Sequence, residues 1–298
     1  MKPDLEERAL RSLFLNALTI AVLLVSAPAS AQELVVTARR DNAEQVRAQA
    51  SEFVRKVSVT AGQDQMSRMS GSYCPAIAGL DDRYVALILG RIAAAADAAG
   101  VARDRRQDCL ANIAVIFTDN GDGLVKALET RAPALFANMD RVKKREVFGS
   151  GRAVRWWYGH QERDKDGMPI SEGQRQSFDA SLISTGVRIS LSGTMIVVDV
   201  NRAAGYDLAA IASYVAMVAF APVKEPERGP SGPPSILNLF DGGGPGLQAP
   251  KALTDWDRAY LRALYTIPMD RPAWQQRAAL AAGMIRNLQD SEDAAPLP

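Results

Sequence analysis

The sequence predicts an α+β fold, in which mixed helices and a small sheet form one compact unit of one or two lobes, the lobes meeting near residue 150. An alanine-rich helical pattern covers residues 84–99, and a compact strand pattern follows it at residues 111–118. Two further strand patterns lie between residues 186 and 200. The 298 residues are 47% hydrophobic, which is enough to bury a sizeable core.

Residues 1–31 are typical of a cleaved secretory signal peptide. A mostly apolar run at residues 13–25 follows three basic residues, and a small-residue stretch ends at Ala31. The run is shorter than the roughly 20 apolar residues that a membrane span needs. We therefore expect cleavage between Ala31 and Gln32, a periplasmic or secreted protein, and no membrane span after cleavage.

Residues 32–148 are predicted to form an N-terminal α/β region. The expected elements, in chain order, are a short strand at 33–39, a helix at 41–59, a polar loop at 61–73, a helix at 84–99 ended by Gly100, a strand at 111–118 and a helix that Asp122 caps and that runs to 131. Cys74 and Cys109 are the only cysteines, and an exported chain favours a disulfide between them over two buried thiols.

Residues 149–290 are predicted to form a C-terminal α+β region. Its expected elements are a strand at 153–158, a charged loop at 160–176, strands at 186–191 and 194–200 joined by a turn at Ser192–Gly193, an apolar helix at 207–220, a Pro/Gly-rich segment at 223–250, a helix that Thr254 caps with Asp257 and that runs to 265, and a last helix at 274–288. Residues 291–298 are expected to be a flexible tail.

Composition excludes several classes of function. The net charge of +1 gives no reason to expect nucleic acid as a partner, and the basic run at residues 141–145 favours a solvated face. A single histidine, His160, and two cysteines exclude zinc sites built from several imidazoles or thiolates. Glu162, Asp164, Asp166 and Gly167 follow the start of a calcium loop, but Gly173 stands at position 12, where a carboxylate is needed, which favours a surface loop. We expect no metal and no cofactor.

Two groups of side chains are candidates for chemistry. Asp119 and Asp122 follow a predicted strand, where they form an acid/base pair, hold a cation or, as the favoured alternative, form a turn and a helix cap. His160 is a candidate general base near neutral pH. Trp156 and Trp157 are adjacent, so they either present one ring to a ligand or lie in a sheet that is covered on both faces.

The region from Asp199 to Tyr265 resembles the closing part of some exported zincin-like bacterial proteins. The likeness consists of a helix at 211–218, an irregular connection and the pattern T-x-x-D-x-x-x-L-x-x-L-Y at 254–265. The resemblance implies a zincin-like C-terminal half. Members that are active need histidine pairs, which this chain lacks, so no zinc ligand carries over; an amphipathic helix is the favoured interpretation of residues 254–265.

The leading hypothesis is an exported protein that binds an envelope protein, peptide or glycan without catalysis. The alternative is an envelope hydrolase of peptides or glycans that uses carboxylates among Asp119, Asp122, Asp199 and Asp255, with the tryptophans as a platform. Two aspartates about 5–10 Å apart beside an exposed tryptophan favour the hydrolase. Salt-bridged aspartates and a buried tryptophan pair count against it.

Overall fold

The computed structural model describes residues 29–60, 65–137, 139–149, 151–164, 166–170, 184–224, 232–241 and 250–293. The chain divides into two units, Met1–Val46 and Arg47–Pro298. The predicted signal peptide lies almost wholly outside the described residues, and export stays a prediction. Within the described part of the chain, no helix has the length and apolar character that crossing a membrane requires.

The α+β prediction is confirmed. The helices are α1 (Ala29–Val57), α2 (Asp82–Ala99), α3 (Gly121–Arg131), α4 (Arg141–Gly149), α5 (Leu208–Phe220), α6 (Asp255–Leu264) and α7 (Ala273–Asp293), with short 3-10 turns at Pro133–Phe136 and Ile236–Phe240. The strands are β1 (Arg68–Met69), β2 (Pro75–Ala78), β3 (Ile113–Thr118), β4 (Val154–Arg163) and β5 (Arg188–Asp199).

The sheet is organised around the long strand β5. Strand β4 runs antiparallel along one edge of β5, while β1 and β3 pair with it in parallel and β2 pairs in parallel with β3. Helix α2 connects β2 to its parallel neighbour β3, as a crossover connection requires. The sheet therefore joins residues before and after position 150.

Several predicted elements have different boundaries or types. Residues 33–39 are helical rather than extended, the predicted loop at 61–73 contains β1, and residues 160–163 belong to β4 rather than to a loop. Residues 291–293 continue α7, whereas 294–298 lie outside the described residues. The predicted C-terminal end of α2 at Gly100 is confirmed by the left-handed conformation of this glycine, with φ of 70°. The predicted N-terminal cap of α6 is confirmed by a capping box between Thr254 and Asp257.

The predicted hairpin turn at Ser192–Gly193 is wrong. Residues 188–199 form one continuous strand, and the pairing passes from Gly159↔Gly193 to His160↔Leu191, which leaves Ser192 unpaired as a bulge. A Cβ on Gly159 would lie 2.6 Å from the Ser192 hydroxyl oxygen, so the strands approach closely here. Ser192 and Gly193, whose residue types are typical of a turn, therefore lie at a β-bulge instead.

The disulfide between Cys74 and Cys109 is confirmed, with the two Cα atoms 6.2 Å apart. It joins the residue before β2 to the segment that leads into β3. The side chain of Asn112 accepts a hydrogen bond from the Cys74 backbone N–H at 2.8 Å, so the two segments are also linked by a polar contact. Together these contacts fix the start of two adjacent parallel strands.

Candidate functional site

The carboxyl ends of β3 and β5 bring together three of the predicted aspartates. Asp199, at the end of β5, is 4% exposed and accepts hydrogen bonds from the Gly121 N–H at 3.0 Å and from Arg202 Nη1 at 3.2 Å. Asp119 is exposed, and its backbone carbonyl accepts from the Asn201 amide at 2.8 Å. The sheet topology therefore places these residues at one edge, as parallel neighbouring strands require.

Asp122 lies between two arginines. Its two carboxylate oxygens accept from Arg202 Nη1 at 3.1 Å and Nη2 at 2.7 Å, and one of them also pairs with Arg155. The Arg155 side chain reaches this point from β4 and is buried. The hydrogen bond from Arg202 is the main reason that the pKa of Asp122 lies below its ordinary value; it outweighs the opposing effect of burial, and the Arg155 charge lowers the pKa further.

The expected helix cap at Asp122 is wrong. Asn120 caps α3 instead, because its side-chain oxygen accepts from the Gly123 N–H at 2.8 Å. Asp122 is thereby left to form ion pairs with Arg155 and Arg202. A catalytic acid needs a raised pKa, whereas this carboxylate has a lowered one.

The remaining residues of the hydrolase hypothesis are also ion-paired or buried. Asp255 lies in α6 and pairs with Arg258 at 2.7 Å. Trp156 and Trp157 are 1% and 3% exposed. Salt-bridged aspartates beside a buried tryptophan pair count against a carboxylate hydrolase.

Both faces of β4 are covered, which decides between the two interpretations of the tryptophans. The Trp156 ring packs edge-on against Tyr214 of α5, with centroids 5.9 Å apart. The Trp157 ring faces the other way and stacks on Phe136 at 4.9 Å, in a core cluster with Val125, Val147 and Val197. Neither ring offers an open face to solvent.

A cavity of about 800 Å³ lies beside Trp157 and contains the lone histidine. We call it the Trp157 cavity, and we define it by its apolar residues Leu135, Met139, Val142 and Trp157 together with His160. Leu135 and Val142 are 40% and 56% exposed, so apolar surface continues from the interior to the rim. Its charged lining residues are Asp140, Lys143, Glu146, Lys224 and Arg277.

The charged groups at the rim are mostly held by neighbours. Lys143 pairs with Glu146 at 3.2 Å, and Asp140 accepts from the Lys143 backbone N–H at 2.7 Å at the start of α4. Lys224 Nζ donates to the Arg55 carbonyl at 3.1 Å. The predicted solvated basic run at 141–145 thus supplies one wall of the cavity, through Val142 and Lys143.

His160 is the most unusual group in the Trp157 cavity. Its Nε2 atom is buried and has no hydrogen-bond partner among the described residues. Burial lowers the pKa of the imidazole below its ordinary value of 6.5, so the ring is neutral at pH 7. A neutral ring nitrogen that lacks a partner has one hydrogen bond left to make.

Comparison with family models, with curated proteins and with solved structures found no match to this chain. The zincin-like resemblance therefore stays a prediction. Among the described residues, no group of three or more His, Cys, Asp or Glu side chains is placed to hold a metal ion. Asp164 Oδ1 accepts hydrogen bonds from the N–H groups of Asp166 and Met168 at 2.9 and 2.8 Å.

Sequence reasoning selected His160 and Trp157 but missed the other walls of this cavity. Leu135 lies in the short turn after α3 and Met139 follows that turn, where no periodic pattern marks them as a surface. The available signal was the position of these two apolar residues shortly before the basic run at 141–145 and the strand β4 that contains the tryptophans. Their convergence depends on how the turn at Pro133–Phe136 packs against β4.

Proposed function

We propose that the protein is an exported binding protein without catalytic activity, and that it holds a peptide segment of an envelope protein in the Trp157 cavity. The observation that carries the proposal is the Trp157 cavity of about 800 Å³, which combines the exposed apolar side chains of Leu135 and Val142 with His160 and charged groups at its rim. Ligand sites commonly combine apolar walls with a few such polar groups.

A peptide fits the cavity better than a glycan does. Sugar rings stack on open aromatic faces, but the Trp157 ring is 3% exposed and stacks on Phe136. An apolar side chain of a peptide would contact Leu135, Met139 and Val142. Backbone groups of the same peptide would lie beside His160 and the charged groups of the rim.

The arginine-bound aspartates support the absence of catalysis. The carboxylates of Asp122 and Asp199 accept hydrogen bonds from Arg202, and Asp122 also pairs with Arg155. These contacts occupy carboxylate oxygens and connect the segment after β3 with β4 and with the end of β5. Export rests on the predicted signal peptide at residues 1–31.

Selection of peptides tests the proposal. Random nine-residue peptides displayed on phage would be selected against the wild-type protein, and the affinity of an enriched peptide would be measured by fluorescence anisotropy. Val142→Asp places a charge on the exposed apolar rim, so we expect it to weaken binding at least about tenfold. Leu110→Asp is the matched control, because Leu110 is 90% exposed and lies outside the cavity.

Two outcomes would contradict the proposal. One is the failure to enrich any peptide that binds the free protein in solution. The other is an equal loss of affinity in Val142→Asp and Leu110→Asp, since that result would place the peptide elsewhere.

A further inference from the structure

A second cavity, of about 640 Å³, shares no lining residue with the Trp157 cavity. Three arginines from three separate parts of the sheet line it: Arg68 in β1, Arg163 at the end of β4 and Arg188 at the start of β5. We call it the arginine cavity, defined by these three residues with Ser70 and Ser72.

Arg163 is held in place by neutral acceptors. Its Nε donates to the Ser190 hydroxyl at 2.8 Å, and its Nη1 donates to the Gly167 carbonyl at 2.8 Å. Its Nη2 donates to the Gln161 amide oxygen at 3.2 Å. These contacts fix the orientation of the guanidinium without neutralising its charge.

Arg68 is also held by neutral groups. Its Nη1 donates to the carbonyls of Leu264 and Ile267 at 2.6 and 3.1 Å, and its guanidinium lies 5.7 Å from the centre of the Tyr265 ring. Burial is the main reason that the pKa of Arg68 is lowered, and the charge of Arg188 lowers it further. The group stays protonated, because the pKa of arginine lies far above neutral pH.

Arg188 adds a third charge. Its side chain is exposed, and within the described residues it forms no hydrogen bond or ion pair. Asp166 is the carboxylate among the lining residues, so the described lining carries three positive charges and one negative charge. The cavity is therefore electropositive although the whole chain has a net charge of only +1.

We infer that the arginine cavity binds a phosphate group. Guanidinium groups match the oxygens of phosphate in pairs, and like charges gathered around one cavity are stabilised by an anion between them. The hydroxyls of Ser70 and Ser72 supply neutral donors on the same wall. A phosphate carries close to two negative charges at neutral pH, which matches the surplus of the lining.

Titration calorimetry of the full chain with inorganic phosphate at low ionic strength tests the inference. We expect saturable binding of one phosphate, and Arg188→Gln should weaken it at least about tenfold, since it removes a charge that faces the anion. Arg105→Gln is the matched control: Arg105 is exposed, lies outside the cavity and loses the same charge. Both variants alter exposed side chains, and circular dichroism would verify that they fold.

Acetate serves as the comparison anion under the same conditions, and it should bind at least about tenfold more weakly than phosphate. Absence of saturable phosphate binding would overturn the inference, as would equal weakening by Arg188→Gln and Arg105→Gln. Acetate binding as tight as phosphate binding would also overturn it, by assigning the cavity to carboxylates. None of these results bears on peptide binding in the Trp157 cavity, so the two proposals fail separately.

Discussion

The backbone N–H of Gly121 donates to Oδ2 of Asp199 at 3.0 Å, and this contact joins the start of α3 to the end of β5. The N-terminus of a helix carries partial positive charge, so it stabilises a buried carboxylate. Arg202 donates to the same oxygen at 3.2 Å. One carboxylate thus anchors a helix and an arginine that also binds Asp122.

Gly121→Ala should destabilise the protein. A Cβ at this position would lie 2.5 Å from Nη1 of Arg155 and 3.1 Å from Oδ2 of Asp199, and the Arg155 side chain is buried and ion-paired. We expect a loss of about 1–3 kcal/mol in the free energy of unfolding. Gly90→Ala in α2 meets no atom within 4 Å and should instead stabilise by about 0.5–1 kcal/mol. Urea denaturation measures both, and equal effects would refute the predicted contact.

Asp257→Ala should be far more damaging than Asp255→Ala in the same helix. Asp257 is fully buried and accepts from the Ser235 hydroxyl at 2.6 Å and from the N–H groups of Ile236 and Thr254 at 2.8 Å each. Removing it leaves buried donors unpaired, which costs about 3 kcal/mol. Asp255 is exposed and pairs with Arg258, so its loss should change the melting temperature little. Similar melting temperatures for the two variants would contradict this account.

Removing the disulfide should lower the free energy of unfolding, by an amount that grows with the logarithm of the length of the loop that it closes. The cysteines are 35 residues apart, for which the chain-entropy model gives about 3–4 kcal/mol. The Cys74→Ala/Cys109→Ala double variant should therefore unfold at lower denaturant concentration than the oxidised wild type. A reductant should destabilise the wild type and leave the double variant unchanged. A reductant effect on both proteins would show that it acts elsewhere.

His160 should titrate below its ordinary pKa of 6.5, because burial disfavours the charged ring. The unfolded chain then takes up the proton first as the pH falls below 6.5, so the folded state loses stability on the acid side. The chain has one histidine, and its ring resonance in a proton NMR spectrum is therefore assigned without further labelling. A titration midpoint at or above 6.5 would contradict the buried position.

His160→Gln tests the consequence for stability. The variant should lose less stability than the wild type between neutral pH and pH 5, because it lacks the group that takes up the proton. In the wild-type protein, the ring resonance of His160 should shift when a selected peptide binds. A peptide that binds tightly without moving this resonance would place the peptide outside the Trp157 cavity.

Local signals in the sequence were sufficient where neighbours along the chain decide the structure. Thr254 and Asp257 form the expected capping box, Asp207 caps α5, and Gly100 ends α2 in the left-handed conformation. Each of these contacts joins residues within a few positions of one another. The caps therefore follow from residue type and spacing alone.

Contacts between residues that are distant in the sequence decided the features that local signals predicted wrongly. Asp122 was equally suited to cap a helix, but Arg155 reaches it from 33 residues away. Ser192 and Gly193 have the composition of a turn, and only pairing with Gly159 makes them a bulge.

By itself, the sequence determined the α+β class, the disulfide and the helix boundaries at Gly100, Asp207 and Thr254, because periodicity and capping depend on residue type and local spacing and the chain has only two cysteines to pair. It also selected His160 and Trp157. Only the tertiary structure decided that Asp122 and Asp199 are bound by arginines and that Arg68, Arg163 and Arg188 line one cavity. The physical reason is that charge compensation and cavity formation depend on which strands become neighbours, and strand order is set by packing across the whole chain.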